Sequence, residues 1–106
     1  MTPIRYSAAA CQTDLPNPMD RAAMARNTDR MIAMIDAAVA GAAPFLPVRL
    51  IVFPEFAHSA PVFATPRELL DALAVPVPNE HTERLVSAAR EYDVFIQSGT
   101  MLEADP

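Results

Sequence analysis

The spacing of apolar and polar residues changes several times along the chain. Ile4 to Thr13 (IRYSAAACQT) is mainly small and apolar with little polar alternation, which predicts a strand buried on both faces. Asp14 to Pro18 (DLPNP) reads as a turn cluster. Within it Asn17 and Pro18 match a helix N-cap and first helical position, with Asp20 near the positive end of the helix dipole. From about Met19 to Ala40 the period becomes helical. Met24, Thr28, Met31, Ile35 and Ala38 recur at spacings of four and three and mark one buried stripe. Arg21, Arg26, Asn27, Asp29, Arg30 and Asp36 mostly lie off that stripe. Gly41 suits a C-cap, and the loop AAPFLPV leads to a short strand, Arg49 to Phe53, rich in β-branched residues.

Strand, helix and strand with short connections predict a βαβ unit with parallel strands. Pro54 ends the second strand, because proline has no N–H to give to a ladder. Phe56 to Ala64 reads as loop. Thr65, Pro66 and Glu68 then form a capping-box helix start, with the helix ending near Leu73. Ala74 to Pro78 (AVPVP) must be extended. Asn79 caps a third helix, with Glu80 and Glu83 in its first turns, Arg90 near its end, and Leu85, Ala89 and Tyr92 on its buried face. Val94 to Ser98 (VFIQS) reads as a third strand, broken by Gly99; Thr100 to Glu103 continue it or begin a return strand. The predicted class is α/β, a βαβ-type parallel sheet with flanking helices.

Composition narrows the function. The 106 residues suit one small domain, and a 52% hydrophobic, 20% charged chain has the make-up of a packed core. A net charge of −5 with no basic run argues against nucleic acid, whose binding rests on cationic phosphate contacts. No apolar stretch reaches membrane-span length, and the N-terminus lacks a signal-peptide pattern. The single cysteine, Cys11, permits no internal disulfide and points to a reducing, cytoplasmic setting. The chain holds no lysine at all, so its bases are arginine and histidine. Chemistry that needs a lysine is therefore excluded from these residues.

In open parallel α/β sheets, ligands bind beyond the carboxyl ends of the strands. Three predicted strand ends meet there: Cys11 to Asp14, Pro54 to His58, and Ser98 to Thr100. Glu55, a lone acid among apolar neighbours, lies just past the second strand. Phe53, Phe56 and Phe63 are expected to desolvate it, as suits a general base. The same carboxylate also fits a solvated or arginine-paired group at a strand end. Phe56 and Phe63 suggest an apolar binding pocket, or simple packing under the loop, and His58 is placed at the pocket mouth. Cys11 sits inside the first strand on a small apolar run and reads as structural rather than nucleophilic. His81 is expected to decorate the first turn of a helix. No zinc-like spacing links the two histidines, and phosphate loops, GxSxG and CxxC are absent.

The elements in order carry a likeness. A first strand ends in Gln12, a long helix carries Arg26 and Asn27, and the stretch LIVFPEF follows. After it come a proline-bearing segment, a helix containing AAREYD, and the strand VFIQSG. Together they resemble the N-terminal part of the nitrilase superfamily, the carbon–nitrogen hydrolases. The likeness covers nearly the whole chain, and its most specific piece is the apolar strand running into Phe53-Pro54-Glu55. The resemblance implies that residues 1–106 are an incomplete, N-terminal portion of a domain built as an αββα sandwich. It implies a glutamate–lysine–cysteine catalytic set in which Glu55 is the general base. The lysine and the cysteine follow the third strand in that family; here there is no lysine, and Cys11 lies in the wrong element. These residues alone are thus expected to be inactive, with exposed apolar surface and marginal stability. The resemblance further implies a small-molecule amide or nitrile substrate, most simply an amide, with no cofactor or metal and a homo-oligomeric full-length enzyme. Two rivals are a truncated remnant of a hydrolase that serves as a non-catalytic α/β interaction module, its sheet edge pairing with a partner, and an unrelated flavodoxin-like or receiver-like domain. Against the latter, this chain has only Asp14 just past the first strand where a receiver has an acidic pair, and its first turn, DLPNP, lacks the glycines of a flavin or nucleotide site.

Overall fold

The computed structural model describes residues 2–105. Three strands, β1 (Ser7–Ala10), β2 (Val48–Val52) and β3 (Phe95–Gln97), form one parallel sheet in that order. Helices α1 (Arg21–Ala42), α2 (Pro66–Leu73) and α3 (Glu80–Tyr92) complete the α/β fold.

β1 is shorter than its composition suggests, because a strand can pair only where its partner runs. The Ser7 N–H reaches the Pro47 carbonyl at one end and the Cys11 N–H reaches Val52 at the other, at 3.0 and 2.8 Å. Beyond these points Pro47 and Pro54 bound the partner strand. The register shifts between Ser7 and Ala8, leaving Arg49 as the extra residue of a bulge. Arg49 turns outward and pairs with Asp93 at 3.0 Å.

Pleating sorts the sheet into rows. Ala9, Ile51 and Ile96 align on one face, where α1 and α3 cover them. Met31 and Ile35 of α1 and Leu85 and Ala88 of α3 pack with Val48, Ile51 and Phe53 to form the main core. Tyr92 joins the two helices by donating to Asp36 at 2.5 Å, and that bond pushes its phenol up to about 12. On the other face Ala8, Leu50 and Phe95 align, followed by Ala10, Val52 and Gln97. That face is open: Phe95 is 78% exposed, and Ala8, Ala10 and Gln97 are also exposed. The expectation that β1 is buried on both faces is corrected here. Its small side chains fit a covered face, but helices lie on one side only.

The open face leaves its mark on the dimensions. The radius of gyration is 15.3 Å, against roughly 13 Å for a compact domain of this length. The accessible surface is 7007 Å², against roughly 5,800 Å² for a compact chain of this mass.

The helix ends divide into local and non-local cases. Thr65 and Glu68 form the expected reciprocal capping box of α2. Asn79 caps α3, its Oδ1 accepting from the N–H groups of His81 and Thr82. At α1 the cap is Asp20 rather than Asn17, with Asp20 Oδ1 accepting from Ala23 N–H at 2.8 Å. Residues 14–18 are needed instead to carry the chain from β1 to the helix. Gly41 is not a cap: α1 runs through it to Ala42, since flanking alanines offset the roughly 1 kcal/mol cost of a helical glycine. The buried face of α1 also includes Asn27, and Ala38 is only half-buried.

A second, smaller core joins Met24, Leu73 and Val75, with Phe63 packed against it. Val75 bridges in parallel to Glu103, so the residues after Gly99 neither extend β3 nor return antiparallel, but pair with the extended segment after α2.

Candidate active site

β2 is the central strand, and its end delivers Glu55 to the carboxyl edge of the sheet. Phe53 is buried and its N–H bonds Gln97 O at 2.9 Å, so the ladder holds up to the residue before Pro54. Two residues later the Glu55 carbonyl accepts the Thr100 N–H at 2.6 Å. Gly99, at φ +82, makes that approach possible. A β-carbon there would stand 2.8 Å from the Glu55 oxygen. The backbone of Glu55 is therefore clamped to the end of β3.

The side chain of Glu55 is exposed. Among the described residues the arginine–aspartate pairs Arg30–Asp14, Arg49–Asp93, Arg67–Asp71 and Arg84–Asp29 leave it aside. The expected desolvation is corrected in part: Phe53 is buried under the loop, Phe56 is itself 45% exposed, and Phe63 turns away into the second core. Glu55 is thus a free carboxylate on a fixed backbone. Such a group can accept a proton from whatever is set against it.

The loop beyond Glu55 is held from below. Ala57, His58, Ser59 and Ala60 are all buried. Asn27 Nδ2 donates to Ala57 O at 3.0 Å and to Pro16 O at 2.9 Å. Thr28 Oγ1 lies 2.7 Å from His58 Nε2 and 2.9 Å from His81 Nδ1, and it donates toward Met24 O at 3.2 Å. A hydroxyl carries one proton and accepts two bonds. At least one imidazole therefore donates its N–H to Thr28. Burial, and then the neighbouring His81, push the imidazole of His58 down to about 4, so it stays neutral.

The placement of His58 at a pocket mouth is corrected by this geometry: it is 1% exposed and bonded inward to α1. His81 is in the first turn of α3 as expected, yet it faces the core and not solvent. Ser59 Oγ is buried without a hydrogen-bond partner among the described residues. Cys11 packs against the main core, and burial pushes its thiol up, which disfavours the thiolate. Among the described residues no three His, Cys, Asp or Glu side chains gather as a metal site, and no helix is long and apolar enough to cross a membrane.

Sequence reasoning set Thr28 on the buried stripe and Gly99 among the strand ends at the site without the contacts they make, and it missed Asn27, which it placed off the stripe. The available signal was small: Asn27 lies three residues after Met24, a spacing as compatible with the buried face as four.

No curated protein matches the chain significantly. The carbon-nitrogen hydrolase profile matches residues 7–106, from the first residue of β1 through Glu55 and the β3 clamp. The chain belongs to the carbon-nitrogen hydrolase family.

Proposed function

We propose that these residues are the amino-terminal portion of an amidase-type carbon–nitrogen hydrolase in which Glu55 is the general base. The observation that carries this reading is the clamped backbone and free carboxylate of Glu55 at the end of the central strand. A base must be fixed relative to its proton donor, yet its carboxylate must not be spent on an ion pair.

Glu55 takes the proton of a cysteine thiol, and the thiolate attacks the amide or nitrile carbon. For an amide, Glu55 returns that proton to the departing amine or ammonia and, a carboxylate again, deprotonates the water that hydrolyses the thioester; a nitrile first gives a thioimidate, which takes up water before ammonia leaves. A lysine stabilises the charge that develops on the substrate. Neither the lysine nor the nucleophile belongs to these residues: the sequence has no lysine, and Cys11 is packed inside the sheet layer with its thiol held up. Both come from chain outside the 106 residues. Phe56 contacts substrate in this reading, which its exposure next to Glu55 supports. The open face of Leu50, Val52 and Phe95 is the inner face of a sandwich, met by a second sheet.

The test is Glu55→Gln in the protein that carries this chain. Turnover should fall by several orders of magnitude while the unfolding midpoint holds, because the side chain is exposed. Near-normal turnover would remove Glu55 from the mechanism.

A further inference from the structure

Two consecutive residues of α1 grip two consecutive residues of the loop that carries Glu55. Asn27 bonds Ala57, and Thr28 bonds His58. Asn27 does more, because the same Nδ2 also donates to Pro16 O in the loop after β1. Both acceptors are carbonyl oxygens. The carboxamide orientation is therefore forced, since a flipped amide would set its own oxygen against them. One side chain, 2% exposed, thus ties together the loops at the carboxyl ends of neighbouring strands.

The geometry gives this tie a purpose beyond packing. Thr100 fixes the backbone at the Glu55 carbonyl, from the β3 side. A single attachment leaves the loop free to pivot about that point. The Asn27 bond at Ala57, two residues on and from the α1 side, supplies the nearest further attachment to the backbone, and Thr28 holds the side chain of His58 one residue beyond. The two backbone anchors nearest Glu55, one on either side of the loop, set the direction in which its side chain leaves the backbone. A buried amide is costly unless its donors are satisfied, and both anchors here are backbone oxygens, so substitution of the loop side chains leaves them intact.

We propose that Asn27 is a positioning residue for Glu55, holding the carboxylate in line for proton transfer by locking Ala57 to the β1–α1 loop. The inference rests on the reading of Glu55 as general base. Displacement of a reacting group by about 1 Å costs on the order of a hundredfold in rate.

The experiment compares Asn27→Ala with the unmodified hydrolase that carries this chain, well below either unfolding midpoint. The expected result is a kcat lowered about a hundredfold with KM within about twofold. Amide exchange should accelerate at Ala57, His58 and Thr100, while β2 and α3 keep their rates. Unchanged kcat in the folded variant, or acceleration spread evenly over the core amides, overturns the proposal. Should the alanine variant not fold, the two Asn27 carboxamide protons are followed in the unmodified protein by NMR. Slow exchange of both supports the two hydrogen bonds to Pro16 O and Ala57 O, and exchange of both at the solvent rate overturns the proposal. Glu55→Gln is run in parallel. Normal turnover there sinks the general-base reading alone, and the local exchange pattern still decides whether Asn27 holds the loop.

Discussion

Gly99 and Glu55 touch through their backbones. A β-carbon at Gly99 would lie 2.8 Å from the Glu55 carbonyl oxygen, and that oxygen accepts the N–H of the next residue, Thr100, at 2.6 Å. The end of β3 therefore locates the residue that follows β2. Glycine is required twice over, for φ +82 and for the missing side chain.

Gly99→Ala is expected to destabilise the protein by about 2 kcal/mol or more, combining left-handed strain with a clash against backbone that cannot move aside. It should also lower turnover by displacing Glu55. Urea unfolding and steady-state kinetics on the same variant check both.

Gly41→Ala should have the opposite sign. Gly41 is helical and exposed, and nothing lies within 4 Å of a β-carbon built on it. A gain of about 0.5–1 kcal/mol is expected from the helix preference of alanine. A loss of stability in urea unfolding would mean that α1 ends before Gly41.

Stability should fall in acid through His58. Its folded value, about 4, lies below the ordinary 6.5, mainly because the ring is buried and secondarily because His81 adjoins it. The unfolded chain therefore takes up the proton first. The contribution is fully present above 6.5, declines as pH drops from there, and levels off below about 4. The linkage amounts to about 3 kcal/mol across that window. His58→Gln should flatten this part of the profile in unfolding experiments at stepped pH.

Cys11 should react slowly with thiol reagents, since burial raises its thiol and the main core packs against it. Cys11→Ala is expected to leave the turnover proposed for the protein that carries this chain unchanged apart from a modest loss of stability. Loss of turnover in a stably folded Cys11→Ala protein would contradict its structural role.

The open sheet face should make the 106-residue chain self-associate when produced by itself. Phe95→Ser, removing the exposed aromatic of the Ala8–Leu50–Phe95 row, should weaken that association in sedimentation experiments. In a longer protein whose second sheet covers this face, as proposed above, the same change should cost about 1.5–3 kcal/mol, the value of a buried phenylalanine. No effect in either setting would mean that the face is not covered by a second sheet.

The order of elements, the α2 capping box and the Asn79 cap were legible from sequence, because each depends on residues within a few positions of one another, and the parallel pairing followed from the strand–helix–strand order. Thr65 and Glu68 satisfy each other's backbone at a separation of three, and Pro54 ends a strand by lacking an N–H. The resemblance around Phe53-Pro54-Glu55 likewise led to the family whose profile matches the chain. The α1 cap was misplaced because Asn17 and Asp20 are equally good capping residues locally, and the choice is made by how far the chain must travel from β1.

What only the tertiary structure decided are the partners of polar groups far apart in sequence. Asn27 looks like a surface residue until Ala57 and Pro16 present carbonyls to it. His58 looks like a pocket residue until Thr28 draws it inward, with His81 completing the cluster from α3. Local propensity reports which residues form helix or strand. It does not report which buried donor meets which acceptor, because that depends on the stacking of helices against a sheet, and burial then makes the pairing obligatory.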